Sequence, residues 1–122
     1  MPEASHAAVR GADAYRESLV QLGAEGHLVG TLVQPTGPSA SVGVLFVNAG
    51  VIHRIGPHRI HVKIGRVLAQ DGVPSLRLDL TGLGDSGRAG GTDGMLAQVR
   101  RDIRAALDLL AERTGLSRFV II

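Results

Sequence analysis

The chain has 122 residues, which suits one ordinary domain or part of a larger one. Its formal net charge is only +2 and its 13 lysines and arginines are scattered, so composition does not favour a nucleic-acid-binding protein. No apolar run approaches the roughly 20 residues that span a bilayer, and the first residues lack the apolar core of a secretion signal. The absence of cysteine excludes disulfides and a cysteine nucleophile, and we expect a cytoplasmic protein.

The first part of the chain predicts a leader followed by a β-hairpin. Residues 1–15 are small, polar and without pattern, which indicates a flexible leader. Strands are predicted at residues 16–22 and 27–33, and the glycine-containing turn between them makes the pair antiparallel. Residues 42–47 (VGVLFV) are nearly all apolar, which is typical of a strand buried on both faces of a parallel sheet.

The second part of the chain alternates helices and strands. One helix is predicted to open at Pro57 and to end at Asp71 and Gly72. Its apolar residues recur at helical spacing and predict a buried stripe of Ile60, Ile64, Val67 and Leu68. A strand is predicted at residues 75–80, and a glycine-rich loop follows it at residues 81–91.

A second helix completes the pattern. Thr92 or Asp93 is expected to cap it, and Gly115 to end it. Its predicted buried stripe consists of Leu96, Val99, Ile103, Ala106, Leu107 and Leu110. Residues 119–122 begin another apolar strand. The order β-β-β-α-β-α-β predicts an α/β fold with a mostly parallel sheet and helices on both faces.

The loop at residues 48–59 is the first candidate for function. It follows a buried strand, and ligands of open parallel sheets bind at the carboxyl ends of the strands. Gly50 would let backbone N–H groups approach a ligand oxygen without a side chain between them. An ordinary strand-to-helix turn accounts for the same pattern, so the loop alone does not define a site.

The loop at residues 79–87 (DLTGLGDSG) is the second candidate. Gly82 to Gly87 match the G-x-G-x-x-G pattern of dinucleotide-binding proteins. A dinucleotide site needs a helix that begins within these glycines, and here residues 88–92 delay it. Arg77 and Asp79 also interrupt a strand that is normally apolar in dinucleotide-binding proteins. For these two reasons a Rossmann-type nucleotide-binding module that uses Gly82 to Gly87 is kept as the alternative interpretation and not as the first.

The histidines of the first loop suggest a metal site. His58 and His61 are three residues apart and could share a helix face, and His53 lies nearby. No carboxylate stands at ligand-like spacing in the same segment. We therefore expect no metal and no cofactor.

Together these features resemble the first half of an α/β-hydrolase. Residues 47–59 and 76–87 are most similar to the serine aminopeptidase-like and exosortase-associated branch of serine hydrolases. The resemblance implies that the loop containing Gly50 and Val51 contributes a backbone N–H to the oxyanion hole. It also matches the D-x-R-G-x-G-x-S turn to Asp79, Gly82, Gly84 and Ser86. Thr81 stands where the family has arginine, and Asn48 where it commonly has histidine.

The family carries its nucleophile on a G-x-S-x-G elbow directly after the fifth strand, and its acid and histidine come later. Residues 119–122 resemble that strand, and nothing follows them. The resemblance implies that residues 16–122 are an inactive N-terminal fragment of a serine hydrolase, with ester, thioester or amide substrates and no catalytic residue of its own. The apolar strand 119–122 predicts self-association. A non-catalytic interaction protein is the third possibility.

Overall fold

A computed structural model of the chain describes residues 14–48, 53–56, 59–87 and 94–122. The elements in chain order are β1 (Tyr15–Leu22), β2 (Leu28–Pro35), β3 (Gly43–Phe46), α1 (Ile60–Gln70), β4 (Ser75–Asp79), α2 (Met95–Thr114) and β5 (Phe119–Ile121). This confirms the predicted order. The predicted helix starts at Pro57 and at Thr92 or Asp93 lie outside the described residues. Neither α1 nor α2 is long and apolar enough to cross a membrane.

The five strands form one mixed sheet in the order β1-β2-β4-β3-β5. The α/β class is as predicted, but the expectation of a mostly parallel sheet is wrong. The antiparallel pairings β1–β2 and β2–β4 span eight and five residue pairs, whereas the parallel pairings β3–β4 and β3–β5 span three each. The cause is the hairpin of β1 and β2, because β2 pairs antiparallel with β4. The sheet therefore has an antiparallel part, β1-β2-β4, next to a shorter parallel part, β4-β3-β5.

Helix α2 covers one face of the sheet and closes the main core. Its Ala106 and Leu110 are fully buried, as the sequence predicts. They pack against a layer of buried strand leucines, namely Leu28, Leu32, Leu45, Leu76 and Leu78. Burying each such leucine contributes roughly 1.5–3 kcal/mol to stability. The predicted stripe is wrong at Leu96, which is 67% exposed in the first turn of the helix.

Helix α1 covers the opposite face, so the prediction of helices on both faces is confirmed. Its predicted stripe is wrong, because Ile60, Ile64 and Val67 are all exposed. The buried face instead consists of His61, Val62, Gly65 and Ala69. A Cβ on Gly65 would lie 3.2 Å from side-chain atoms of Ser75 and Arg77 in β4. The helix therefore approaches the sheet through its small residues, and its large aliphatic residues turn outward.

A charged cluster ties α1 to the hairpin. Arg66 of α1 and Arg77 of β4 both donate hydrogen bonds to the Glu17 carboxylate in β1, with N···O distances of 2.9 and 3.1 Å. Burial raises the pKa of Glu17, but the hydrogen bonds from the two guanidinium groups outweigh it and hold the pKa below its ordinary value of 4.5. Burial lowers the pKa of Arg77 despite the hydrogen bond to Glu17.

Candidate functional site

The two candidate loops start at the same edge of the sheet. Strands β3 and β4 are parallel and in register, with Leu45 opposite Leu76. Their carboxyl ends therefore lie side by side, with Asn48 two residues beyond β3 and Asp79 as the last residue of β4. Gly50 and Val51, the residues of the oxyanion loop in the hydrolase interpretation, lie outside the described residues.

The carboxylate of Asp79 joins the two loops. Its side chain is fully buried and accepts four hydrogen bonds. Oδ1 accepts from the Asn48 side-chain amide at 2.9 Å and from the Arg54 backbone N–H at 2.8 Å. Oδ2 accepts from Arg54 Nη1 at 2.7 Å and from the Asp85 backbone N–H at 3.0 Å. Three of these donors belong to the first loop and one to the second, so a single buried group fixes both loops relative to β4.

Asn48 completes the connection between the strand ends. While its amide N–H donates to Asp79, its Oδ1 accepts from the Leu80 backbone N–H at 2.7 Å. An amide carries both the donor and the acceptor that this position requires, and it is nine-tenths buried. Asn48 stands where the hydrolase family commonly has histidine. Its side chain bridges the end of β3 and the residue after β4.

Arg54 lies at the centre of the charged groups and was not singled out from the sequence. Its guanidinium is nearly buried, with Nη1 2.7 Å from Asp79 Oδ2 and 2.8 Å from Asp85 Oδ2. Its Nε donates to Thr31 Oγ1 in β2 at 2.9 Å. The signal that could have found it is charge balance, because an aspartate that ends a buried strand needs a cation close by.

His53 and Asp85 form the exposed rim of this cluster. His53 Nε2 lies 2.8 Å from Asp85 Oδ2, and the two side chains are 33% and 59% exposed. The hydrogen bonds from His53 and then from Arg54 hold the pKa of Asp85 below its ordinary value. His61 does not join them, because its ring packs against Phe46 with ring centroids 5.0 Å apart. His58, the third histidine of the suspected metal cluster, lies outside the described residues.

The fold does gather possible metal ligands that sequence spacing missed. One ligand atom each of His53, Asp79 and Asp85 lie within 4.8 Å of one another. Arg54 Nη1 stands within 2.8 Å of all three groups. The guanidinium therefore occupies the position that a metal cation would need, and these side chains serve a structural ion-pair network.

The glycine-rich turn wraps around the same carboxylate. Gly84 has a φ of +49°, and a Cβ there would lie under 3.0 Å from the Asp79 carboxylate. Only glycine allows the backbone this close, which brings the N–H of Asp85 to Asp79 Oδ2. Ser86 is also buried, and its Oγ donates to the Asp79 carbonyl while accepting from the Val29 N–H. Both hydrogen-bonding roles of this hydroxyl are structural.

This turn does not present a phosphate site. The backbone N–H groups of residues 82, 83, 85, 86 and 87 all donate within the protein, so they are not turned toward a ligand. Helix α2 begins only at Met95. A dinucleotide motif needs free amides and a helix that opens at the glycines. The geometry therefore does not favour the Rossmann interpretation.

A second polar group, also missed from the sequence, holds the other side of the turn. Asp102 of α2 is buried and accepts from the Thr81 N–H at 2.7 Å and from Thr81 Oγ1 at 2.8 Å. His27 Nε2 lies 2.8 Å from the same threonine hydroxyl. Thr81, which stands where the hydrolase family has arginine, thus links His27, the residue before β2, to α2. The available signal was the position of Asp102, which falls on the apolar stripe of the helix.

Comparison with known proteins identifies the fold. No protein-family model matches the sequence, and no curated protein matches it. Solved structures do match: an α/β serine hydrolase homologue from Coxiella burnetii has a TM-score of 0.59 at 17% identity, with 87% of this chain and 50% of that chain covered. An α/β serine hydrolase without lid from Xanthomonas campestris has a TM-score of 0.61 at 17% identity, with 87% of this chain and 49% of that chain covered. An esterase from Pyrococcus furiosus has a TM-score of 0.65 at 17% identity, with 88% of this chain and 40% of that chain covered.

The chain thus has an α/β architecture that it shares with these hydrolase and esterase structures, with a mixed sheet, two covering helices and two neighbouring loops. More particularly, the chain has the α/β-hydrolase fold, and it spans about half the length of the structures that it matches.

Proposed function

We propose that the chain is the part of an α/β-hydrolase that holds the oxyanion loop, in an enzyme that cleaves ester, thioester or amide bonds. The observation that carries the proposal is the Asp79 carboxylate, which binds both loops at the carboxyl edge of the parallel strands. The similarity to hydrolase and esterase structures supports the same proposal. Such an edge is where open α/β sheets bind their ligands.

The proposed chemistry is serine-dependent acyl transfer. A serine gives its proton to a histidine and attacks the carbonyl carbon, and the oxygen of the tetrahedral intermediate gains a negative charge that backbone N–H groups stabilise. The intermediate then collapses, the bond to the alcohol, thiol or amine breaks, and that group leaves with the proton from the histidine. In this proposal the loop of Gly50 and Val51 supplies one of those donors. Arg54 lies three residues further on, and its backbone N–H is bound to buried Asp79, which holds that end of the loop. Donors held in place before the reaction need no reorganisation when the charge develops.

The nucleophile, acid and histidine are proposed to lie outside these 122 residues. No serine of the sequence stands in a G-x-S-x-G pattern. Ser86 is the one serine of the described residues next to Asp79, and its hydroxyl is buried with both roles engaged. We therefore expect the 122 residues to show no hydrolysis of short acyl esters above the rate in buffer.

A fluorophosphonate probe, which labels activated serines, tests the proposal. The 122-residue chain should remain unlabelled, and so should its Ser86→Ala and Ser117→Ala variants. A polypeptide that continues through the codons after 122 in the same gene should be labelled and should hydrolyse esters. Labelling of the 122-residue chain that disappears in Ser86→Ala would contradict the assigned role of Ser86. A folded longer polypeptide without any label, or a stop codon at position 123, would contradict the hydrolase proposal.

A further inference from the structure

The side of helix α2 that points away from the sheet carries its two kinds of charge in separate halves. Arg101 and Arg104 lie in the first half of the helix. Asp108 and Glu112 lie in the second half. Their spacing places all four on one side of the helix, opposite the buried Ala106, and all four are exposed. These four residues are called the outer face of α2 below.

The charges of the outer face are not compensated within the helix. Arg101 beside Arg104, and Asp108 beside Glu112, place like charges three and four residues apart, which destabilises a helix. Glu112 also lies in the last turn, where the helix dipole disfavours a negative charge. No ion pair joins Arg104, Asp108 or Glu112 to another residue in the part of the chain that the structure describes. A partner with the opposite order of charges would compensate them.

The outer face lies at the end of the sheet that is remote from β5. An open cleft separates α2 from the turn between β1 and β2, with Arg101, Arg104 and Asp108 on one side and Gly23 and Ala24 on the other. Strands β1 and β2 stand at the opposite end of the strand order from β5. A strand added next to β5 would therefore not cover this face. The small residues of the turn leave room beside the helix for the side chains of a partner.

We propose that a second copy of this chain binds the outer face of α2 with its own outer face, the two helices antiparallel about a two-fold axis between Arg104 and Asp108. Arg104 of each copy then faces Asp108 of the other copy. On the flank nearer the hairpin, Arg101 likewise faces Glu112. Parallel packing would instead bring like charges together.

The symmetry and the charge of the chain fit this arrangement. A two-fold contact needs only one self-complementary surface, and a face that is basic in one half and acidic in the other is complementary to itself. The net charge of +2 is too small to keep two copies apart. Because exposed ion pairs each contribute little, the dimer is weak and reversible, and dilute protein is monomeric.

Sedimentation equilibrium of the 122-residue chain tests the proposal. At low salt the apparent mass should rise from 12.7 kDa toward twice that value as the protein concentration increases. In about 1 M salt, where the screening length is about 3 Å, the mass should stay at that of the monomer. Arg104→Glu places a carboxylate opposite Asp108 and should raise the dissociation constant at least about tenfold.

A charge swap and a matched control make the test specific. The double variant Arg104→Glu with Asp108→Arg restores an opposite pair and should recover the association. Arg118→Glu makes the same charge change at an exposed arginine outside α2 and should leave the association unchanged. A monomer at every concentration, association that persists in about 1 M salt, or a charge swap no better than Arg104→Glu alone would overturn the proposal. So would an equal effect of Arg104→Glu and Arg118→Glu.

Spin labels test the orientation of the two helices, since the chain has no cysteine of its own. One cysteine is introduced at a time on α2, as Ala97→Cys or as Ala111→Cys. With a rise of about 1.5 Å per residue, the antiparallel arrangement separates the two labels along the helix by about 27 Å at position 97 and by about 15 Å at position 111. Equal distances at the two positions would indicate parallel helices and refute the proposed interface.

Discussion

Replacing Asp79 by asparagine removes the charge at the centre of the network with almost no change in shape. All four groups that contact the carboxylate are donors, two on each oxygen. An asparagine amide offers one oxygen and one NH₂ group, so two of the four donors must face another donor. Asn48 cannot turn its own amide to compensate, because its Oδ1 already accepts from Leu80.

The expected loss follows from burial. A buried donor left without an acceptor costs about 1–3 kcal/mol, and Asp79→Asn leaves two of them. It also removes the buried partner of the Arg54 guanidinium, and breaking such a pair costs about 3–5 kcal/mol. These effects overlap, so we expect Asp79→Asn to lower the free energy of unfolding by about 3–5 kcal/mol. Typical domains have only about 5–15 kcal/mol in total.

Urea denaturation followed by circular dichroism measures this loss, since the chain has no tryptophan to report by fluorescence. Asp108→Asn is the matched control, because Asp108 is exposed on α2 and its substitution should change stability by no more than about 0.5 kcal/mol. If Asp79→Asn costs less than about 1 kcal/mol, the carboxylate does not hold the two loops and the assigned network is wrong.

Two further outcomes test the surroundings of this site and of α1. Gly84→Ala should lower the free energy of unfolding by about 1–3 kcal/mol more than Gly82→Ala does. Both glycines have a positive φ, but only a methyl group at position 84 would collide with Asp79. Equal losses of unfolding free energy in urea denaturation would show that the turn does not contact the carboxylate closely. The pKa of Glu17 is lower in the folded protein than its ordinary value of 4.5. The Glu17 ion pair therefore stabilises the fold fully above pH 4.5, and this stabilisation is lost as the pH falls through the lower pKa of the folded state. The stability difference between wild type and Glu17→Gln should therefore shrink below pH 4.5, while the exposed control Glu112→Gln shows no such trend, and a constant difference would contradict the ion-pair assignment.

The order of elements could be predicted because each strand and helix has its own local pattern. The apolar run VGVLFV and the helical spacing of Ala106 and Leu110 are local patterns, and residues 43–46 of the run and both helix residues are buried as expected. The direction of half the sheet could not be predicted, because nothing local in the hairpin states which strand it joins. The docking of β2 against β4 is decided by tertiary packing, and it made the sheet mixed.

The buried face of α1 shows where periodicity fails. Ile60, Ile64 and Val67 are more apolar than Gly65 and His61, yet the latter face the sheet. A close approach to β4 favours a glycine over a large side chain, because a larger residue would displace Arg77 and Ser75. Hydrophobicity scales rank side chains singly and do not contain this steric condition.

Only some residues of the candidate site could be predicted from the sequence. Asp79 and the glycines of the turn could be selected because they lie at the end of a strand and directly after it. Arg54 and Asp102 leave only indirect signals, the uncompensated charge of Asp79 and the place of Asp102 on an apolar stripe, because their partners lie 25 and 21 residues away in the chain. Long-range polar contacts of this kind are set by the fold, and a single sequence does not say which groups they join.

The geometry also gives a physical reason for the D-x-x-G-x-G-x-S pattern itself. A carboxylate buried at a strand end must find enough donors to replace water, and side chains alone do not supply them here. Gly84 lets the following turn fold onto Asp79, so that the backbone of Asp85 becomes a donor. Ser86 then fastens the turn to the carbonyl of the same aspartate and to β2. The pattern therefore encodes a support for two loops rather than a ligand cradle, and in a hydrolase its effect on catalysis would come through the position of the oxyanion loop.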